Sequence, residues 1–464
     1  MKFVGVRAAT WRDALILALI VVFGVVLTER EIGRNVPFAD EVEYVVMAHN
    51  LHHRGTLSLA PTAEQPATPT AFREPGYPVV LAALMALDRR LAAVPLACVT
   101  ERGPVCAPAY FWAKRLNVLL FVMSGLIVWW AAARLAGAPW IAHTAALLFL
   151  ANHTLHKYAT YLVSDFLALL FTALVGLALL QTVRAPRAAS GLVLGAALGL
   201  LVLTKAAFAL LGPLVLLLVV GRAFRRPPAE RRPAFAAAIV LALVHAAIVG
   251  GWVARNAVAI GEPVLAQRGA QVLAHRVELN RMTPTEYAVA FLFWTRGVGD
   301  NLARRFLPLE AYRRFDLKYD DGFYNAAQSR WHDAVAAETA RGQSPAAAEA
   351  AVGAVLRQEI VTQWWKTILV SIPVAYRGLF IDEFIVLTAP ALMVLLLARR
   401  RRVAGFAVFA LPGLYALGFH AAITLNLPRH SIPILPMLAV AGALVVGSGW
   451  TWWRTRREHA LTGA

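Results

Sequence analysis

Long apolar runs broken by short charged stretches organise this 464-residue chain. Ten of them approach the roughly 20 residues a helix needs to cross ~30 Å of hydrocarbon. They lie at about 12–28, 112–134, 138–156, 161–182, 188–204, 206–221, 233–252, 382–398, 403–424 and 430–450. Helix is predicted for each, because every backbone polar group in lipid must find its partner within the segment. Two other apolar stretches do not read as spans. Tyr77 to Leu87 is short and ends in Asp88-Arg89-Arg90, which predicts an interfacial helix; Trp364 to Tyr376 reads as an amphipathic approach to the span at 382–398. Within the polar stretch 253–381, Thr283-Pro284 and Ser344-Pro345 predict helix starts.

Composition agrees with this pattern. The chain is 59% hydrophobic and 16% charged, with a mean hydropathy of +0.60, which predicts an all-α polytopic membrane protein with residues 1–464 as one transmembrane domain. The net charge of +18 could suggest nucleic acid, but its distribution reads as topology. The N-terminus, Arg134, Arg184, Arg187, Arg222 to Arg232, Arg399 to Arg402 and the C-terminal tail hold 18 of the 45 basic residues and only 3 of the 27 acidic ones. That asymmetry places this set on the cytoplasmic side, with both termini, and leaves two external regions at 29–111 and 253–381. No nucleic-acid partner is expected. The first apolar run lacks a small-x-small cleavage site before Glu29-Arg30-Glu31, so it reads as an uncleaved signal anchor. The Ala/Arg/Pro bias points to a high-GC bacterial genome, and so to the bacterial inner membrane.

The candidate chemistry collects at the external face. Asp40, Glu41 and Glu43 follow the first span, and Asp165 opens the fourth. Lys205 caps the turn between the spans at 188–204 and 206–221, Arg255 follows 233–252, and Arg429 precedes 430–450. Acids and cations at one interface suit phosphoryl or glycosyl transfer from a lipid phosphate: a carboxylate takes a proton from an acceptor hydroxyl and cations stabilise the departing phosphate. Each residue also has a bland reading. Lys205 and Arg429 can snorkel at helix ends, Asp165 and Asp40 can cap helices, and Glu43 reads as solvated or structural. Their number on one face is what singles them out. His49, His52 and His53 lack a further ligand at fixed spacing, so no metal site is predicted. Cys98 and Cys106, on the oxidising side, predict a short disulfide-closed loop, against the alternative of two free thiols.

Several stretches together resemble a family. Asp40-Glu41-x-x-Tyr44, followed by Ala48, Leu51 and Gly55, resembles the first external loop of GT-C fold glycosyltransferases, in the branch of protein O-mannosyltransferases and lipid A aminoarabinose transferases. Arg73-Glu-Pro75-Gly76-Tyr77-Pro78 resembles the basic-x-Pro segment that opens that family's interfacial helix. Tyr161-Leu-Val-Ser-Asp165 resembles its second acidic site and Leu203-Thr204-Lys205 its Thr-Lys turn. Pro428-Arg429-His430-Ser-Ile-Pro433-Ile-Leu-Pro436 resembles its terminal Arg-aromatic-x-x-Pro-x-x-Pro span, with His430 where Tyr or Phe is usual. The match keeps order along the whole chain, except that no soluble domain follows the last span, which shifts suspicion for acceptor recognition to 253–381.

The resemblance implies a GT-C-like bundle of about ten transmembrane helices with external interfacial helices, and a sugar donor linked to polyprenyl phosphate. It implies transfer on the periplasmic face to a glycan, lipid or protein hydroxyl, with inversion and with Asp40 as base. Glu41 is Asp40's expected partner and Asp165 orients the site. Tyr44, Arg73, Lys205, Arg255 and Arg429 are the expected substrate-binding residues. The family sometimes uses a divalent cation, for which no convincing ligand set is seen. Two other readings are a transporter or flippase of a lipid-linked sugar and a polysaccharide polymerase or ligase. Transporters favour internal repeats and ionisable groups at mid-membrane, whereas the spans here are nearly charge-free.

Overall fold

The computed structural model describes residues 10–101, 107–380, 388, 390, 391, 393, 394 and 401–462. Among these residues every regular element is helical. Contacts divide the chain into two compact units, one formed by Met1–Leu265, Val386–Leu414 and Ile432–Ala464, the other by Ala266–Ile385 and Tyr415–Ser431.

The first unit opens with α1 (Trp11–Glu31), whose capping box pairs Thr10 with Asp13. There follow α2 (Asp40–Arg54), α3 (Gly76–Leu87), α4 (Arg115–Ala136), α5 (Pro139–Leu150), α6 (Asp165–Arg184), α7 (Ala188–Thr204), α8 (Leu211–Phe224) and α9 (Pro228–Ile260). Seven helices among the described residues are long and apolar enough to cross a membrane: Trp11–Glu31, Pro108–Ala136, Asp165–Arg184, Ala206–Phe224, Pro228–Ile260, Ala404–Ile423 and Pro428–Trp450. The chain is a membrane protein. Two expected spans are shorter. The run at 138–156 stops after the 12 residues of α5, where Asn152 accepts a hydrogen bond from Leu155 N at 2.8 Å and starts the separate helix His153–Tyr158. α7 covers the expected 188–204 but at 17 residues is short for a span, and α3, expected as an interfacial helix, has 12. Most of 382–398 lies outside the described residues, as does Cys106 and with it the predicted disulfide to Cys98.

Small residues set the closest helix packing. Gly191, Gly195 and Gly199 recur every four residues on one face of α7, and a Cβ added there would meet Ala237 O at 2.2 Å, Leu241 O at 2.7 Å and Ile248 Cβ at 2.9 Å on α9. Lipid is as apolar as any side chain, so helices in a membrane gain little by merely hiding surface; close backbone approach across a glycine ridge supplies the van der Waals contact instead. Contacts advance in the same direction along both helices, so α7 and α9 run parallel, with α9 continuing past the end of α7.

The second unit contains α10 (Gln271–Leu279), α11 (Pro284–Phe293), α12 (Gly299–Phe306), α13 (Phe323–Ala340), α14 (Pro345–Thr362) and α15 (Trp364–Leu379). α11 and α14 begin at the two predicted starts: Thr283 forms a capping box with Glu286, and Ser344 Oγ accepts from Ala347 N. α15 buries Val370, Pro373 and Val374 and exposes Trp364, Trp365, Ile368 and Ile372, the two-faced pattern expected of it. Arg276 is fully buried in this unit, donating to Ala421 O (2.7 Å), Thr367 O (3.1 Å) and Asn280 Oδ1; burial pulls its pKa down to about 10. The chain returns as α16 (Arg401–Ile423) and ends with α17 (Leu435–Thr462).

The glycine ridge yields a paired prediction. Gly195→Leu should destabilise the protein by about 1–3 kcal/mol, since the backbone of Leu241 cannot yield as a flexible side chain would. Gly221→Ala on α8, where an added Cβ meets nothing within 4 Å, should be neutral or stabilising by up to about 1 kcal/mol. Thermal unfolding of the detergent-solubilised variants measures both; equal melting temperatures would remove the ridge as a packing determinant.

Candidate functional site

Four segments of the first unit converge on one polar cluster: the start of α2, residues 73–76, residues 161–165 and the turn 203–206. Ala39 leads into α2 with φ 50° and ψ −125°, a region that costs a non-glycine residue about 1–3 kcal/mol. The corner sets Asp40 at the first position of the helix. Glu41 closes it, its Oε2 accepting from Phe38 N at 3.3 Å and its Oε1 from Leu162 N at 2.7 Å.

Arg73 joins Asp40 to Glu43. Its Nη2 lies 2.6 Å from Asp40 Oδ1 and its Nε 2.5 Å from Glu43 Oε2, with the guanidinium 5.1 Å from the centre of the Tyr44 ring. Burial works against this charge, but the field of Tyr44, Asp40 and Glu43 outweighs it and raises the Arg73 pKa above its ordinary value. Tyr44, buried beneath, shares a hydrogen bond of 3.0 Å between its hydroxyl and Ser164 Oγ. Burial pushes the Tyr44 hydroxyl well above the usual tyrosine range, so it stays protonated and can donate.

The next residue, Asp165, opens α6 and is ion-paired with Lys205. The following amide, Ala206 N, donates to Glu74 Oε1 at 2.8 Å. Gly76 makes that approach feasible, since a Cβ there would stand 2.8 Å from Leu203 O and 2.9 Å from Thr204 Oγ1. Glu74 follows Arg73 in the chain, so the contacts close into a ring: Asp40 to Arg73, Glu74 to Ala206, Lys205 to Asp165, and Ser164 to Tyr44 on the helix that carries Asp40.

The structure thus brings together Asp40, Tyr44, Arg73, Asp165 and Lys205 of the expected site residues. Glu41 lies beside them in sequence, but the residue is 1% exposed and its carboxylate is bonded to backbone amides, the position of a structural clamp. Glu43, which the sequence reading set aside, shares Asp40's cation. Arg255 belongs to the support: Nη1 donates to Thr70 O (3.2 Å) and Asn256 Oδ1 (2.9 Å), tethering the strand of chain that leads to Arg73. Arg429 lies in the second unit, in the 3-10 turn Pro428–Ile434.

Sequence reading missed Glu74 and Ser164, whose importance lies in what they touch. It also missed Lys114 and Asn117, polar residues inside an apolar run, which is the signal that could have found them. Lys114 is fully buried and its Nζ donates to Gly33 O (2.9 Å), Asn35 O (3.0 Å) and Asn35 Oδ1 (2.8 Å). Asn117 Nδ2 donates to Ala159 O and Tyr161 O while its Oδ1 accepts from Tyr77. Among the described residues no group of three or more His, Cys, Asp or Glu could hold a metal ion. The His49 and His53 rings lie 4.3 Å apart, and burial, with the neighbouring His53, Arg54 and His52, holds His49 down to about 4.

No protein-family model matches this chain, and no curated protein does. Among solved structures it is similar to ArnT from Cupriavidus metallidurans in the apo state, at 16% identity and a TM-score of 0.39, covering 89% of this chain and 76% of that one. It is similar to the same protein bound to undecaprenyl phosphate, again at 16% and 0.39, covering 93% and 77%. A likeness that loose assigns neither family nor activity nor ligand to this chain.

Glu41 supplies a pH prediction. Burial raises its pKa in the folded state above the ordinary 4.5 of a glutamate, against the opposing amide donors. A raised folded pKa means that the folded state binds the proton more tightly. Glu41 therefore contributes stability that is complete below pH 4.5 and is lost as pH rises through the folded pKa. Glu41→Gln keeps an acceptor for Leu162 N and has no proton to lose, so the wild-type advantage at low pH should shrink or reverse toward neutral pH. Melting temperatures of both proteins across that range decide it; parallel curves would refute the shift.

Proposed function

We propose that this chain is a membrane glycosyltransferase that moves a sugar from a polyprenyl-phosphate carrier to a hydroxyl of a cell-envelope acceptor. The observation that carries the reading is the ring itself: two carboxylate–cation pairs, Asp40/Glu43 with Arg73 and Asp165 with Lys205, gathered where α2 and the segment 70–76 meet the start of the apolar helix α6 and the end of α7. A transporter would place such groups along the middle of its spans.

In this reading Asp40 takes the proton of the acceptor hydroxyl as its oxygen bonds to the anomeric carbon. The carbon–oxygen bond to the carrier phosphate breaks on the opposite face, the configuration inverts, and the electron pair leaves on the phosphate. Cations held ready before the reaction stabilise that charge without reorganising. Lys205 and Arg73 are the cations for that role, with Arg255 as a further candidate, and Asp165 holds the Lys205 ammonium. An incoming phosphate shares these cations with the carboxylates that hold them at rest. The acceptor is a glycan, lipid or protein hydroxyl. The site lies on the periplasmic side of a bacterial inner membrane, with both termini in the cytoplasm.

With a purified lipid-linked sugar, Asp40→Asn should reduce release of the carrier phosphate by about 10²–10⁴-fold, the usual share of a general base, while membrane insertion and melting stay close to wild type. Near-normal turnover in a folded Asp40→Asn protein would remove Asp40 as the base. The topology is open to a separate check. In a chain otherwise free of cysteine, Asp88→Cys should react with an impermeant maleimide from outside intact cells and Pro228→Cys only after lysis. The reverse pattern would place the ring on the cytoplasmic face.

A further inference from the structure

The first unit has a second charged end. α6 runs for 20 residues from Asp165 in the ring to Arg184, which sets the two about 30 Å apart along the helix. At that far end α4 and α6 meet. Arg184 Nη1 donates to Arg134 O, in the last turn of α4, at 2.9 Å. Its Nη2 lies over the backbone of Gly405 on α16, where an added Cβ would stand 2.8 Å from it and 3.0 Å from Leu135 Cδ2. The guanidinium is therefore half-buried in a slot between three helices. A snorkelling arginine would instead extend it into water.

The slot is short of negative charge. The bond to Arg134 O caps α4 but uses one of five N–H donors, and the other four have no partner among the described residues. Arg134 adds a second cation, 5.4 Å from the centre of the Trp130 ring, and its charge repels that of Arg184. The acids at this end are committed elsewhere: Asp13 to Thr10 at the start of α1, and Glu230 to Arg226. Among the described residues no carboxylate pairs with Arg134 or Arg184. Trp130 and Trp140 are 43% and 41% exposed here, the aromatic pattern of a membrane edge, where lipid phosphates lie.

We propose that Arg134 and Arg184 hold the phosphate of an anionic phospholipid headgroup in the slot between α4, α6 and α16. The planar guanidinium fork suits phosphate, and a basic pocket between membrane helices suits such a headgroup. A zwitterionic lipid brings its own ammonium and answers less of the charge. The charge asymmetry that sets topology accounts for arginine at this end, but not for folding Arg184 into the slot.

The test uses the full chain in neutral detergent and follows thermal unfolding against added ligand, since whatever binds the folded state raises its melting temperature. The ligands are phosphatidylglycerol, phosphatidylethanolamine and inorganic phosphate. Phosphatidylglycerol should bind at least about 10-fold more tightly than phosphatidylethanolamine. Arg184→Gln should weaken it by about 10-fold, the weight of a charge-assisted contact, and Arg134→Gln by a few-fold. Gly405→Ala should also weaken it, because the new Cβ displaces the flexible guanidinium at little cost to the fold. Arg305→Gln, which removes the same charge from an exposed position of the second unit, should change nothing. Equal binding of the two lipids, unchanged affinity in Arg184→Gln, or an equal loss in Arg305→Gln would overturn the proposal. Inorganic phosphate as effective as the lipid would reveal a free-anion site and overturn it too. Should Arg184→Gln fail to fold, unchanged affinity in Gly405→Ala overturns it. Asp40→Asn should leave lipid binding untouched, so the slot and the transfer reaction can fail separately.

Discussion

The first unit's site depends on Arg73, one largely buried cation held between two carboxylates. Its side chain is 12% exposed and those of Asp40 and Glu43 are 17% and 28% exposed, so the triad is shielded enough for charge to matter and wet enough to be reached. Truncating Arg73 would leave two carboxylates uncompensated, which in buried cases costs about 3–5 kcal/mol, whereas loss of one carboxylate leaves the other to pair with it. Arg73 is also the residue through which the segment 70–76 meets α2. Its neighbour Glu74 ties the same segment to the turn carrying Lys205. Two adjacent side chains, Arg73 and Glu74, therefore link the two acid–cation pairs.

Around this ring the protein satisfies its buried polar groups one by one. Lys114 gathers three oxygens of residues 33–35, Asn117 holds the carbonyls of 159 and 161, and Glu41 pins residue 162. These residues fix the approach of the chain to Asp40 and to Ser164-Asp165 from both sides. A site that works through preorganised charge needs such a shell, because an oxyanion is stabilised only by groups already in place. The strained corner at Ala39 fits the same account: Glu41, two residues on, holds the corner that aims Asp40.

Much of this was legible in the sequence. The apolar runs, the helix starts at Pro284 and Pro345, and Asp40, Tyr44, Arg73, Asp165 and Lys205 all stood out, because hydropathy and charge are local properties. Contacts that depend on partners far along the chain were not legible. Glu41 and Glu43 are two residues apart with the same chemistry, and only the turn at Ala39 decides that the first faces backbone amides and the second Arg73. Glu74 gains its place from Ala206, 132 positions away. The break at Asn152 was hidden because α5 and the helix after it together look like one hydrophobic run.

The glycine ridge connects the apolar frame to the polar ring. α7 and α9 run parallel, so Lys205 and Arg255 emerge at the same end of the pair. The segment 70–76 crosses that end: Arg255 holds Thr70 O, Gly76 lies on Leu203 O, and Glu74 reaches Ala206 N. A slip of α7 against α9 by one helical turn, 5.4 Å, would break at least one of these contacts, and none can be remade without moving Arg73. The small residues at 191, 195 and 199 let the backbones approach closely enough to resist that slip. Close packing within the membrane thus sets where the charges stand at its edge, which is why a chain so rich in apolar sequence can hold a few ionic groups in fixed register.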